Sequence, residues 1–465
     1  MKNFIKLFIT ASAIGCASIN IQAQTISPFH AGDRVVFLGN SITDGGHYHS
    51  YIWLYYMTHF PNMRITCINA GIGGDNVKQM ADRFDDDILP KKPTVLTVTW
   101  GMNDSGYFEW YKPDAADYAV KSVQLAEQRY AVLDEKLKKI FGVRKIFILG
   151  SPYDETTTSN PNRLYHGKAA AFQQLIDFQQ ATAQKNGWDF VDFDRPMSAI
   201  NLREQAKNPA FSLTPNDRIH PDNDGHLVMA YLFLKTQGLA NKVVADVAIN
   251  ALDRKVSKSV NSTVTNLTGS DDELAFDYMA NSLPYPIDTI PRAWGNRKKQ
   301  SEALTLIPFM QEFNRELLTV RGLKSGIYQL TIDNEPIINY TAQELAEGVN
   351  LAEQTNTPQY QQAIQIRELN EERWEIERRL RNYGYVEFGL LKNKGLLFAD
   401  NRAAMDTVEK ASIKDIFIRG NKDNYMKAQY KTLRNAWQKE MDVLTDEIYA
   451  INKPQKHHIQ IKEIK

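Results

Sequence analysis

The chain has 465 residues, 43% hydrophobic and 24% charged, with 55 basic residues against 55 acidic ones for a formal net charge of +0. That composition excludes a disordered chain, and the zero balance argues against a nucleic-acid binder, which needs a basic face for phosphates. At about 100–200 residues per domain, two or three domains are expected.

Residues 1–23 read as a secretory signal peptide. Lys2 and Lys6 precede the apolar stretch Leu7 to Ala17, which is too short to span a membrane, and Ile21-Gln22-Ala23 offers a cleavage site. Lipid attachment at Cys16 is the weaker alternative, because Ala13 stands where a Leu would match better. No later apolar run is long enough for a span, so the expected location is secreted or periplasmic. With Cys16 removed, Cys67 is left without a disulfide partner. Its place in "RITCINA" marks it as a buried structural thiol.

From Arg34 to about Gly238, apolar runs alternate with helical stretches. The runs are "RVVFLG", "RITCINA", "TVLTVTWG", "KIFILG" and "DFVDF", and the helices include Ala115 to Lys139 and Lys168 to Asn186. Continuous apolar strands between helices predict a five-stranded parallel sheet covered on both faces. Residues 24–244 are therefore expected to form an α/β, flavodoxin-like three-layer sandwich, with ligands at the carboxyl ends of its strands. The aromatics of "YHSYIWLYYMTHF" are mostly helix core in this reading, with Ile52, Tyr55 and Tyr56 on one face.

Residues 245–345 change texture and predict a small antiparallel β module with strands "ELAFDYM", "ELLTVRGL" and "GIYQLTID". Asp333-Asn334 is expected to turn the last of these into "PIINY", and Thr341-Ala342-Gln343-Glu344 reads as a capping box. Residues 346–465 read as a helical extension. Thr357-Pro358 opens a helix whose stripe is Ile366, Leu369, Ile376 and Leu380, with Arg373 in one slot. A second stripe runs through Met426, Tyr430, Leu433, Trp437, Met441, Leu444 and Ile448. The two helices are expected to pair or to lie across the first domain, and to wall one side of its cleft.

Four blocks fall at the carboxyl ends of predicted strands: "GNSITDGG" from Gly39, "NAGIGGDN" from Asn69, "WGMNDSG" from Trp100 and "DRIHPDNDGH" from Asp217. Acyl transfer to water requires a hydroxyl nucleophile, a base, a carboxylate to orient the base, and fixed donors for the oxyanion. Ser41, His220 and Asp217 can fill the first three roles, since Asp217 lies three residues before His220. The glycine-rich "GIGGDN" can present backbone N–H groups, and Asn103 can offer a side-chain amide. Taken alone, Ser41 would be a turn or cap residue and His220 a solvated loop histidine; the four blocks together reverse that. Asp104 is expected to brace its loop and His226 to be structural. His47 and His49 suggest a metal pair, yet nothing completes a site, so exposure or substrate contact is expected of them. Gly71-Ile72-Gly73-Gly74 fails as a dinucleotide loop, because Asn76 stands where the third Gly should be.

These residues resemble the SGNH hydrolases, the GDSL-type esterases, through Ser41 in "GNSITDG", Gly74 in "GIGGDN", Asn103 in "GMND" and His220 in "DRIHP". Asp217 matches the family's carboxylate in its D-x-x-H arrangement. The resemblance implies an oxyanion hole made by the Ser41 N–H, the Gly74 N–H and the Asn103 side chain. Asn40 departs from the Asp common at that position, and an amide there can still brace a tight turn. With its leader and long extension, the chain resembles secreted bacterial carbohydrate esterases. The expected protein is a secreted serine esterase removing short acyl groups, chiefly acetyl, from an acylated carbohydrate or other small ester. No metal, no organic cofactor and no nucleic-acid partner are expected. The alternatives are a lipase or thioesterase for longer chains, and a catalytically silent glycan-binding protein.

Overall fold

The computed structural model describes residues 25–270, 272–292 and 296–464, so the leader, its cleavage site and Cys16 lie outside the described residues. Strands β1 (Arg34–Gly39), β2 (Thr66–Gly71), β3 (Val95–Val98), β4 (Arg144–Leu149) and β5 (Asp189–Asp192) form one parallel sheet in the order β2-β1-β3-β4-β5. Helices α1 (Ser41–Asp44), α2 (Tyr48–His59), α3 (Val77–Asp82), α4 (Ala115–Lys139), α5 (Lys168–Asn186), α6 (Asp194–Gln205) and α7 (Asn223–Thr236) accompany it. The apolar cores of β1, β3 and β4 are fully buried, as continuous hydrophobic runs require when helices cover both faces. After β1 the chain first adds β2 on one side and then β3 on the other. The loops leaving β1, β2 and β3 therefore meet at this switch point, where open α/β sheets bind ligands.

The chain beyond residue 244 builds two sheets. One holds β6 (Ala245–Asn250), β7 (Lys255–Val260), β10 (Glu316–Arg321) and β13 (Val349–Asn350), in the order β13-β10-β6-β7. The other holds β8 (Ser262–Gly269), β9 (Glu273–Ala280), β11 (Ile327–Ile332), β12 (Glu335–Thr341) and β14 (His457–Glu463), in the order β12-β11-β14-β9-β8. The expected hairpin joins β11 to β12, with Asp333 and Asn334 both at positive φ (50° and 70°), as a two-residue primed turn requires. Thr341 and Glu344 form the expected capping box.

Two features differ from a purely antiparallel module followed by helices. First, β10 pairs with β6 in parallel. Parallel neighbours need a long crossover. Here the segment between β9 and β10 supplies it: Leu283, Tyr285, Ile287, Phe309 and Phe313 leave the module and join the core of the first domain. Second, residues 346–465 are not helical throughout. His457–Glu463 returns as a strand between β11 and β9, with Ile459 and Ile461 buried in alternation.

The remaining helices are α8 (Phe309–Phe313), α9 (Ala342–Glu347), α10 (Pro358–Val386), α11 (Arg402–Ser412), α12 (Ile416–Ala428) and α13 (Lys431–Ile451). α10 packs on both α13 and α2, so it pairs within the extension and also crosses the first domain. The second stripe is broken, because α12 ends and α13 begins around Gln429 and Tyr430. Met426 and Tyr430 are consequently exposed (45% and 64%), while Trp437, Met441 and Ile448 are buried. With α10 over it, α2 is buried on every side rather than on one face, and all twelve of its residues are inside.

Candidate active site

β1 ends at Gly39, where a Cβ would lie 2.1 Å from Thr43 Oγ1, so the turn demands glycine. Asn40 is the N-cap of α1: its Oδ1 accepts the Ile42 N–H at 3.0 Å, and its carbonyl accepts from Thr43 and Asp44. A neutral amide thus performs the cap, which needs only a side-chain oxygen. Ser41 follows at the first helical position. Its N–H and that of Gly74 donate to no acceptor among the described residues.

Ser41 Oγ lies 2.7 Å from His220 Nε2, and His220 Nδ1 lies 2.6 Å from Asp217 Oδ2. Asp217 Oδ1 also accepts the backbone N–H groups of His220 and Ile219, at 2.9 and 3.0 Å. Burial acts to raise the Asp217 pKa, but these hydrogen bonds and the neighbouring imidazole outweigh it and hold the carboxyl below its ordinary value. An ionised Asp217 can only accept, so Nδ1 carries the imidazole proton and Nε2 faces the Ser41 hydroxyl as acceptor. Between the two, Arg218 takes a left-handed backbone (φ 69°). Its buried guanidinium ties that turn to the carbonyls of Asn160 and Asp154, at 3.1 and 3.0 Å.

The second block is bound to the first. Asn69 Nδ2 donates to the Asp44 carbonyl at 2.9 Å, and Gly73 N–H donates to Asp44 Oδ2 at 3.1 Å. Arg83, fully buried, reaches Asp75 at 2.6 Å, the Ala70 carbonyl at 2.9 Å and the Gly39 carbonyl at 3.2 Å. Gly74 sits at φ 83° with open space where a side chain would be.

In the third block, Asn103 Nδ2 donates one proton to the Asp75 carbonyl at 2.7 Å, and Asn103 Oδ1 accepts from the Tyr107 hydroxyl. The second amide proton of Asn103 remains for the cleft. Asp104 braces the loop as expected, accepting from Val77 N at 3.1 Å and Gly101 N at 3.0 Å, and burial raises its pKa to about 6. Lys168, buried at the start of α5, donates to the Met102 carbonyl, Ser105 Oγ and the Gly106 carbonyl at 2.8, 2.6 and 2.7 Å. Its Nζ stands 4.3 Å from the Tyr107 ring centroid. Burial pushes the Lys168 pKa down to about 7, while three acceptors take its three protons.

Tyr107, Lys168 and Arg83 were not foreseen. Tyr107 lies four residues after Asn103, a spacing that could have flagged it; nothing local marks Lys168 or Arg83. His47 and His49 are corrections, since neither is exposed nor in contact with a cleft. His47 is completely buried, 3.0 Å from Glu371 Oε2 and stacked at 4.2 Å on Trp374 of α10. His49 Nε2 meets the Thr43 carbonyl at 3.1 Å. His226 is structural: its ring fills the space where a Cβ on Gly46 would collide at 2.3 Å. Cys67 is buried, and burial pushes its thiol pKa well up.

Two recesses flank the centre. One, of 230 Å³, is lined by Ser41, Gly46, Asn216, His220 and Asn296. The other, of 180 Å³, lies on the Gly74 side and is closed by Tyr385, Leu390, Asp415 and Ile418 of the extension.

Residues 37–228 match the model of the GDSL-like Lipase/Acylhydrolase family, and residues 364–453 match that of the diltiazem deacetylase C-terminal helical domain. A gut microbial diltiazem-metabolizing enzyme of solved structure is 47% identical, over 95% of this chain and 100% of its own, with a TM-score of 0.93. A curated acetylxylan esterase from Geobacillus stearothermophilus is 25% identical over 223 residues, which are 45% of this chain and 95% of that protein.

Proposed function

Because this chain belongs to the GDSL-type (SGNH) hydrolase family and is a carboxylic ester hydrolase, we propose that Ser41, His220 and Asp217 are its catalytic triad and that acetyl esters are its substrates. The unbroken hydrogen-bond chain from Ser41 Oγ through His220 to Asp217 carries this reading. Ser41 Oγ attacks the ester carbonyl and gives its proton to His220 Nε2, while Asp217 stabilises the imidazolium. The oxyanion is received by the N–H groups of Ser41 and Gly74 and by the free amide proton of Asn103. Collapse expels the alcohol, which takes the proton from His220. Water, deprotonated by the same histidine, then splits the acyl-enzyme to acetate and free Ser41.

Acetyl is favoured because the family model matched at residues 364–453 is named for a deacetylase and the Geobacillus stearothermophilus relative for an acetylxylan esterase. An acetylated carbohydrate is the proposed alcohol side, released outside the cytoplasm by a chain whose residues 1–23 read as a leader. A second reading, a small apolar acetyl ester, is favoured by Tyr385, Leu390 and Ile418 beside Gly74. Ser41→Ala is expected to lower p-nitrophenyl acetate turnover by at least about a thousandfold. Unchanged hydrolysis would overturn the triad. Acetate release from acetylated polysaccharides, set against release from small aromatic acetates, separates the two substrate readings.

A further inference from the structure

Between the free edge of β2 and helices α10 and α13 lies a cavity of 600 Å³. Among the four blocks it shares only Asn69, so it is separate from the Ser41 centre. Its inner wall is polar where a domain contact would ordinarily be apolar. Arg373, 3% exposed, lies there with its guanidinium 4.6 Å from the Trp53 ring centroid. Its Nε donates to Asn370 Oδ1 at 3.1 Å and its Nη1 to Glu377 Oε2 at 2.9 Å. Nη2 is buried and finds no acceptor among the described residues. Among the described residues, no other one lining the cavity has an unpartnered buried side-chain atom.

The strand edge supplies a second donor. Thr66 and Ile72 donate inward, to Asp33 and Gly39, so alternate residues point their N–H groups outward. Ile65 N–H is taken by Tyr449 Oη at 3.1 Å and Asn69 N–H by Glu377 Oε1 at 2.8 Å. Cys67, between them, has no such acceptor among the described residues. The neighbouring charges are satisfied: Arg381 holds Asp87 and the Gly71 carbonyl, and Lys91 holds Asp87.

Two unmet donors, one of them a guanidinium nitrogen, call for a ligand bearing oxygen acceptors, and an arginine edge suits a carboxylate. Tyr383, Phe388 and Phe398 line the same space and suit an aromatic body, and the volume falls within the usual range for small-ligand sites. We propose that this cavity is a second, non-catalytic site for a small aromatic carboxylate, seated on Arg373 Nη2 and the Cys67 N–H.

Benzoate is the probe, titrated calorimetrically into the full chain, with hydrogen exchange measured on the same complex. Saturable one-site binding with Kd below about 1 mM is expected, with slowed exchange in peptides covering residues 64–69 and 370–388. Benzamide, which lacks the charge, and the variant Arg373→Lys, which lacks the planar donor edge, should each weaken binding by at least about tenfold. Arg373→Lys should leave p-nitrophenyl acetate hydrolysis unchanged, which also reports that it folds. Absence of saturable binding would overturn the proposal, as would protection confined to peptides around Ser41 and His220. The wild-type exchange pattern decides the matter even if the variant does not fold.

Discussion

The Asn103 amide is held from both ends, by Tyr107 at its oxygen and by the Asp75 carbonyl at one of its protons, so only the other proton is free to meet an oxyanion. Tyr107→Phe removes the restraint and leaves the donor. We expect kcat to fall on the order of tenfold, less than the 10²–10³ typical of deleting such a donor, with KM nearly unchanged. Steady-state kinetics on p-nitrophenyl acetate check this; an effect on KM alone would contradict it. Asp44 gives a pH-dependent expectation. Burial raises its carboxyl from the ordinary 3.8 to about 6, against the pull of Arg381 and the Gly73 N–H. Between pH 3.8 and 6 the unfolded chain ionises this group while the folded chain keeps it protonated. Stability from Asp44 therefore falls as pH rises through that window, and above it the buried charge costs on the order of 3 kcal/mol. Asp44→Asn should raise Tm at pH 7.5 and leave it near the wild-type value at pH 4, as thermal unfolding at both would read. At this scale Ser41, Gly74 and Asn103 were legible as candidates because each sits in a short motif after an apolar strand, and Asp217 and His220 through their own D-x-x-H spacing, although α6 separates them from β5. His47 was misread because what buries it, Glu371 and Trp374, lies more than three hundred residues away along the chain.

The helix α2 could not be read as buried all round, since its second cover is α10 and nothing in "YHSYIWLYYMTH" names that partner. Likewise the parallel β10–β6 pair depends on a crossover whose apolar residues join another core. The break between α12 and α13 was hidden because the three-four spacing runs straight through it. The parallel sheet, the Asp333-Asn334 turn and the Thr341 capping box were readable because their signals are local. The burial of α2 also decides how a cleft-wall role for the extension is tested. A chain ending near Gly238 would uncover the aromatics of α2, so it cannot report on substrate preference. Tyr385→Ala can, since Tyr385 faces Gly73 across the smaller recess. It should change KM for bulky aromatic acetates by at least about threefold while leaving kcat for p-nitrophenyl acetate within about twofold, the scale of one lost aromatic contact. Equal effects on both substrates would count against a wall.

One helix serves two cores. Ala363 and Ile366 near the start of α10 belong to the core of the first domain, whereas Ile376, Tyr383 and Val386 belong to that of the extension. The buried Arg83–Asp87–Arg381 cluster joins the same two bodies by charge. Breaking either contact alone would strand ionic groups without partners, a costly outcome in a dry interior. Calorimetry should therefore show the first domain and the helical extension melting in one transition, and two resolved endotherms would contradict this. Truncation before His457 should lower the stability of the β module, because β14 pairs on both sides.

The position of β14 also orders events in time. β9 and β11 are not neighbours; they are joined only through a strand that the ribosome makes last of the three. While residues 342–456 are being synthesised, both strands wait with an edge open. The five-stranded sheet closes only after residue 463 has emerged, so β9 and β11 cannot complete this part of the fold before β14 is made.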